Sequence, residues 1–174
     1  MLKVSHFDTR PYRVINAKES QDFHAFIDAV EARVLKKLLG VEMYNELIAG
    51  LAVEPAEDIE LKWLALRDGD TYLYNEKTYE YVGLVELLKP YVFSEWVRET
   101  HTKFTTVGVV RTEADHTKPV NPSARIVEAY NDYVAKVGSS LNVRGTLYGF
   151  LNHGDYTYET LHFTQPFALN KFGI

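Results

Sequence analysis

From Ser20 onward, apolar residues recur at intervals of three and four: Phe23, Phe26, Ile27, Val30, Val34, Leu35 and Leu38. That period lays one stripe along a helix capped by Ser20 and ending near Gly40, with Asp22, Asp28, Glu31, Arg33 and Lys36 largely off the stripe. Between Gly40 and Gly50, the pairs Met43/Leu47 and Tyr44/Ile48 lie four apart and predict a short helix folded back on the first. Pro55 marks a break, and Glu57 to Arg67 reads as a third helix with Ile59, Trp63 and Leu66 on one side. The period then changes. Thr71-Tyr-Leu-Tyr74 and Thr78-Tyr-Glu-Tyr81 flank Asn75-Glu-Lys77 and predict a β-hairpin over 71–81, in which Tyr72 and Tyr74 share a face of one strand and Tyr79 and Tyr81 a face of the other. An isolated two-stranded ribbon is marginal in water, so this one needs something to lie against.

Leu84, Val85, Leu87, Leu88, Tyr91, Val92, Phe93, Trp96 and Val97 spread around more than half of a helix, which predicts a central helix touched from several directions. Pro90 predicts either a kink there or a helix that begins near it. Residues 102–121 read as a long extended loop with a β-prone run at Gly108-Val-Val110; after Val110 the segment has few large apolar groups, and binding a neighbour is one way to hold it. Asn121-Pro122 is a helix start, followed by Ile126, Val127, Tyr130, Val134 and Val137 at helical spacing. Leu141 to Leu151 permits a further helical piece before Asn152-His-Gly154. The aromatic end from Tyr156 to Phe167 partly alternates and looks extended, and docks either on its own domain or on the next subunit. The expected architecture is therefore mainly α: a compact helical bundle with an inserted β-hairpin, a long extended loop and an extended C-terminal arm. Its parts are an N-terminal arm (1–19) that contributes at most a short extended piece, a helical domain (20–152) and the C-terminal arm (153–174).

A length of 174 residues leaves room for one sizeable core. The chain has no cysteine, which removes disulfides, thiolate metal sites and thiol nucleophiles together. A formal charge of −5 opposes broad adhesion to nucleic acid or to an anionic membrane. Neither a signal-peptide-like start nor a membrane-length apolar run is evident, so folding in a cytoplasm, with no membrane partner, is expected. Twelve Tyr, nine Phe and two Trp are the unusual feature, because Tyr and Trp bury one side while reaching a polar partner with the other and are common at protein contacts.

The residues offer no catalytic constellation. His101, Asp115 and His116 are the best metal-ligand set by type, but their spacing matches no compact motif, and His116 beside Asp115 reads more simply as a solvated or interfacial pair. Neither Gly-x-Ser-x-Gly, Gly-x-Gly-x-x-Gly nor a Walker phosphate loop is present. No cofactor, metal or catalytic residue is assigned.

The run Ala32-Arg-Val-Leu-Lys-Lys-Leu-Leu-Gly-Val-Glu-Met-Tyr-Asn-Glu-Leu-Ile48, followed by the tyrosine hairpin, Gly83-Leu84, Tyr91 to Trp96 and Thr106-Val-Gly-Val-Val110, resembles tailed-phage head–tail connector proteins of the portal-adaptor or head-completion group, in the form found in phages and prophages of Bacteroides-like gut bacteria. The resemblance spans about Ser20 to Leu151; Pro90 and the sizeable aromatic tail depart from the group's pattern. It implies a structural subunit that forms a ring below the portal, extends the DNA channel without reading sequence and presents a surface for tail or neck proteins. Such a subunit works in the virion neck after folding in the host cytoplasm, and the group has no catalytic residue to carry over. By position, it places protein-interface roles on Tyr72, Tyr74, Tyr79 and Tyr81 of the hairpin and on Val109, Arg111 and His116 of the long loop. Another phage neck or tail-terminator subunit, a small cytoplasmic enzyme and a nucleic-acid-binding regulator stay open as alternatives; the last two require a concave polar site and a basic face, respectively.

Overall fold

The computed structural model describes residues 1–14, 21–105, 108–111 and 122–169. Six α-helices occupy most of them: α1 (Gln21–Leu39), α2 (Val41–Leu51), α3 (Leu61–Asp68), α4 (Gly83–His101), α5 (Pro122–Val137) and α6 (Leu147–His153). Two antiparallel ribbons interrupt them, β1 (Asp70–Tyr74) with β2 (Lys77–Tyr81), and β3 (Thr102–Thr105) with β4 (Gly108–Arg111). The protein is thus a mainly helical bundle with an inserted hairpin, extended loops and extended ends.

The apolar stripe of α1 is the first wall of the core: Phe23, Ile27, Val30, Val34, Leu35 and Leu38 are all buried. Gly40 ends that helix with φ of 84°, a conformation that glycine adopts without a Cβ penalty, and its carbonyl accepts from Tyr44 N at 3.2 Å to open α2. Helix α4 is central. It packs against α1, α3 and α5, and Leu84, Leu87, Leu88 and Val92 are sealed from solvent.

Pro90 does not start α4; the helix begins seven residues earlier, at Gly83, and runs through it. Proline has no N–H, so the carbonyl of Glu86, four residues back, loses its usual helical donor. Lys136 of α5 approaches that carbonyl from outside, its Nζ donating at 3.4 Å. The missing bond is therefore replaced by a contact between α4 and α5, which share the most extensive interface among the described elements.

Other boundaries differ from the sequence reading for local reasons. The third helix starts at Leu61 rather than near Glu57, because Ile59 and Glu60 are extended after a short 3-10 turn at Ala56–Asp58. The last helix excludes Leu141: residues 138–146 form a tight turn closed by Ser139 N to Asn142 O and Asn142 N to Ser139 O, both 3.0 Å, and Thr146 then caps α6 by accepting from Gly149 N. Within the N-terminal arm the described residues include one short helical turn. Val4–Phe7 is a 3-10 turn whose Val4 and Phe7 enter the core, Phe7 meeting Phe23 edge-on at 5.2 Å. Above it, Glu31, almost wholly buried on α1, accepts from the Met1 ammonium at 3.0 Å and from Leu2 N at 2.7 Å.

The C-terminal arm folds onto its own chain as far as Leu169. Tyr158 donates to Lys62 O on α3, Thr160 to Glu46 on α2, and the amides of His162 and Thr164 donate to the Leu39 and Leu38 carbonyls at 3.1 and 2.9 Å. Those are carbonyls that the end of α1 leaves without helical partners. Asn131 of α5 then pairs with both backbone groups of Leu169 at 2.8 Å.

Candidate functional site

The expected interface residues lie on the two ribbons and the segment after the second, and α2 adds an exposed apolar stripe. In the first ribbon, Tyr72 is opposite Tyr79, while Tyr74 and Tyr81 are opposite Lys77 and Asp70, so all four tyrosines share one face. The turn between the strands places Asn75 and Glu76 at φ of 49° and 63°, the two-residue geometry whose twist suits a hairpin. At its base the chain pinches: a Cβ on Gly69 would lie 2.4 Å from Tyr81 O, and one on Gly83 2.4 Å from the Asp68 carbonyl carbon. The hairpin leaves and re-enters the bundle at one point.

The tyrosine face lies on α6, not on solvent. Tyr72 is 3 % exposed; its hydroxyl donates to Val143 O and accepts from Thr146 N at 3.3 Å, tying the ribbon to the turn that precedes α6. Tyr81 is 1 % exposed, stacks on Phe150 with ring centres 4.7 Å apart and donates to Leu66 O at 3.2 Å. Burial pushes the Tyr81 phenol well above its ordinary pKa, since the phenolate would have no water around it. Tyr72 and Tyr81 therefore complete this chain's own core and present nothing for a partner to bury. Tyr79 and Tyr74 are half-buried toward the tip, with Tyr74 against His153 at 4.7 Å. The ribbon's open face carries Thr71, Leu73, Thr78 and Glu80, and Leu73 is 63 % exposed.

The second ribbon is described by its backbone register. Register pairs Thr102 with Arg111, Lys103 with Val110, Phe104 with Val109 and Thr105 with Gly108, placing Val109 and Arg111 on one face. It continues directly from α4, and among the described elements α4 is its main packing partner. His116, the remaining expected interface residue, lies outside the described residues.

A third surface was not legible as one. Helix α2 buries Met43 and Leu47 and leaves Val41 and Ile48, seven residues apart and so on one stripe, in solvent; Val53 and Leu61, further along the chain, are also exposed. The same stretch, residues 41–61, contains six acidic side chains, all exposed, and no basic one. Its signal in the sequence is the coincidence of that unbroken acidity with an apolar spacing that two helical faces share.

Titratable groups elsewhere are occupied by structure. Beside a depression of about 350 Å³, Tyr12 donates to Asp132 Oδ2 at 2.5 Å and Lys136 Nζ lies 2.8 Å from the same oxygen. Burial and this bond to a carboxylate raise the Tyr12 pKa, so the pair is a closed contact rather than a proton shuttle near neutrality. Among the described residues no group of three His, Asp or Glu side chains is placed to hold a metal ion, and no helix is long and apolar enough to cross a membrane. Comparison with known proteins gives no matching family model, no matching curated protein and no matching solved structure.

Proposed function

We propose that this chain is a structural head–tail connector subunit of a tailed phage or prophage, copies of which form a ring beneath the portal, lengthen the DNA channel and offer the tail its attachment surface. The observation that carries the reading is the order of elements on which the sequence resemblance rests: a helix ending at the Gly40 corner, a second short helix, a hairpin inserted before one central helix, and an extended excursion immediately after it. Assembly rather than chemistry is the work such a molecule does. A two-stranded ribbon such as β3–β4 is marginal on its own, so contact with other chains is a natural way to stabilise it. The acidic balance of the chain lowers adhesion to phosphates moving through a channel.

The test is electron microscopy of the protein mixed with the portal encoded beside its gene. A ring seated coaxially on the portal's narrow end is expected. Binding to purified tail tubes with no affinity for the portal would move the assignment to another neck or tail-terminator subunit, and a gene with no portal or capsid gene near it would sink both.

A further inference from the structure

The C-terminal arm holds an aromatic ring out in water. Of the large apolar side chains left in solvent among the described residues, Phe167 is the only aromatic one, and it is 82 % exposed. Its backbone is fixed on both sides. Three residues before it, Thr164 N donates to Leu38 O at 2.9 Å, and two residues after it Leu169 pairs both of its backbone groups with Asn131 at 2.8 Å. A ring presented on a fixed backbone loses little freedom when a partner buries it.

A counterpart exists on the same molecule, in an open depression of about 370 Å³ between the N-terminal turn and the first half of α1. Leu2, Val4 and Ile27, all buried, form its apolar floor, and Ser5, His24 and Asp28, all exposed, lie on its rim. The space is ample, since an apolar cavity of roughly 150 Å³ already accepts a benzene ring. The depression beside Tyr12 fits worse, because a phenyl ring there would cover Arg125, Glu128 and Asp132. Within one copy the ring and the apolar floor do not meet. No arm residue lines the depression, and the Thr164 anchor at Leu38 lies along α1 about 15 Å from Asp28 and about 21 Å from His24, at about 1.5 Å per residue.

We infer that Phe167 of one copy seats in the depression over Leu2, Val4 and Ile27 of the next copy. This rests on the ring assembly proposed above and names the knob and the hole that would build it. The two surfaces are unlike, so each copy keeps one of each to offer, and repetition gives a ring where the rotation closes. The phenyl ring supplies burial at the centre of the contact, and the polar rim surrounds it.

The absence of native cysteine makes the test direct. A chain carrying Ser5→Cys on the rim and Ala168→Cys beside the ring, both at exposed positions, is treated with a short bismaleimide across a concentration series and is expected to give a ladder of linked multimers. The two singly substituted chains, when mixed, should stop at dimers. Leu141→Cys, on the exposed 138–146 turn, replaces Ser5→Cys in the control pair. Adding Phe167→Ala to the double-cysteine chain should slow cross-linking about tenfold or more, as for the loss of an anchor residue, and Phe167→Leu should restore part of it. Phe167 is mostly in water in the single chain, so the thermal midpoint of Phe167→Ala should match that of the parent, which separates lost docking from lost fold. Cross-linking no faster than in the Leu141 control, a ladder unchanged by Phe167→Ala, or a double-cysteine chain that stops at dimers overturns the inference. A ring on the portal without this cross-link would remove the inference and leave the proposed function standing; the ladder without portal binding would do the reverse.

Discussion

Ribbons β1–β2 and β3–β4 have the same antiparallel topology and nearly the same length, and the first is built into the core through Tyr72 and Tyr81. In β1–β2, register gathers four tyrosines onto one face; α6 with the turn before it supplies ring contacts and the partners of the Tyr72 hydroxyl, and α3 supplies the acceptor for that of Tyr81. In β3–β4, register pairs Phe104 with Val109 and Lys103 with Val110, and the ribbon continues directly from α4. A hairpin is as stable as the surface it lies against, and tyrosine content alone marks a contact without saying whose.

The largest expected effect falls on the supported ribbon. Tyr81→Ala should cost about 3–5 kcal/mol of folding stability, the range for emptying a fully buried aromatic site, and denaturant unfolding measures it directly. An effect below about 1 kcal/mol would mean that β1–β2 is dispensable to the bundle. Tyr72→Phe keeps the ring but leaves Thr146 N without the hydroxyl that accepts from it and removes one of the two hydroxyls donating to Val143 O, for an expected loss of about 1–3 kcal/mol. The comparison also has a pH signature. Tyr81, Tyr133 and Tyr158 are all held above the ordinary phenol range, chiefly by burial, so the folded state keeps protons that the unfolded chain releases. Their contribution is complete below about pH 10 and declines as pH rises beyond it. Unfolding curves followed from about pH 8 to about pH 11 should show that decline, and Tyr81→Phe should make it shallower.

A smaller change sharpens the contrast. Glu76 occupies positive φ in the β1–β2 turn, where glycine is unstrained, so Glu76→Gly should raise the midpoint of thermal unfolding through a gain of about 1 kcal/mol.

How much of this is written in the chain depends on the range of the interaction. The stripe of α1, the Gly40 stop and the tyrosine hairpin are local patterns, and they fold as read. Side-chain alternation also told which tyrosines shared a strand face, but not that both faces would merge onto α6, because the partner helix lies some 70 residues further on. Pro90 was ambiguous for the same reason: the cation that meets the Glu86 carbonyl is on another helix, 50 residues away. On α2, Met43/Leu47 and Tyr44/Ile48 are equally good helical pairs, and only packing against α1 and α3 decided that the first goes inward and leaves Ile48 in water. The candidate contact surfaces are the least legible part, since an exposed apolar residue has no sequence signature until its neighbours have chosen their sides.

The stand-in donor at Pro90 also bears on the order of events during synthesis. Helix α4 emerges from the ribosome with one rung of its ladder open, and the lysine that fills it is made 46 residues after the proline. The middle of the bundle is thus completed by a late arrival: until α5 has been translated and docked, α4 is a nascent helix with a soft point at its centre.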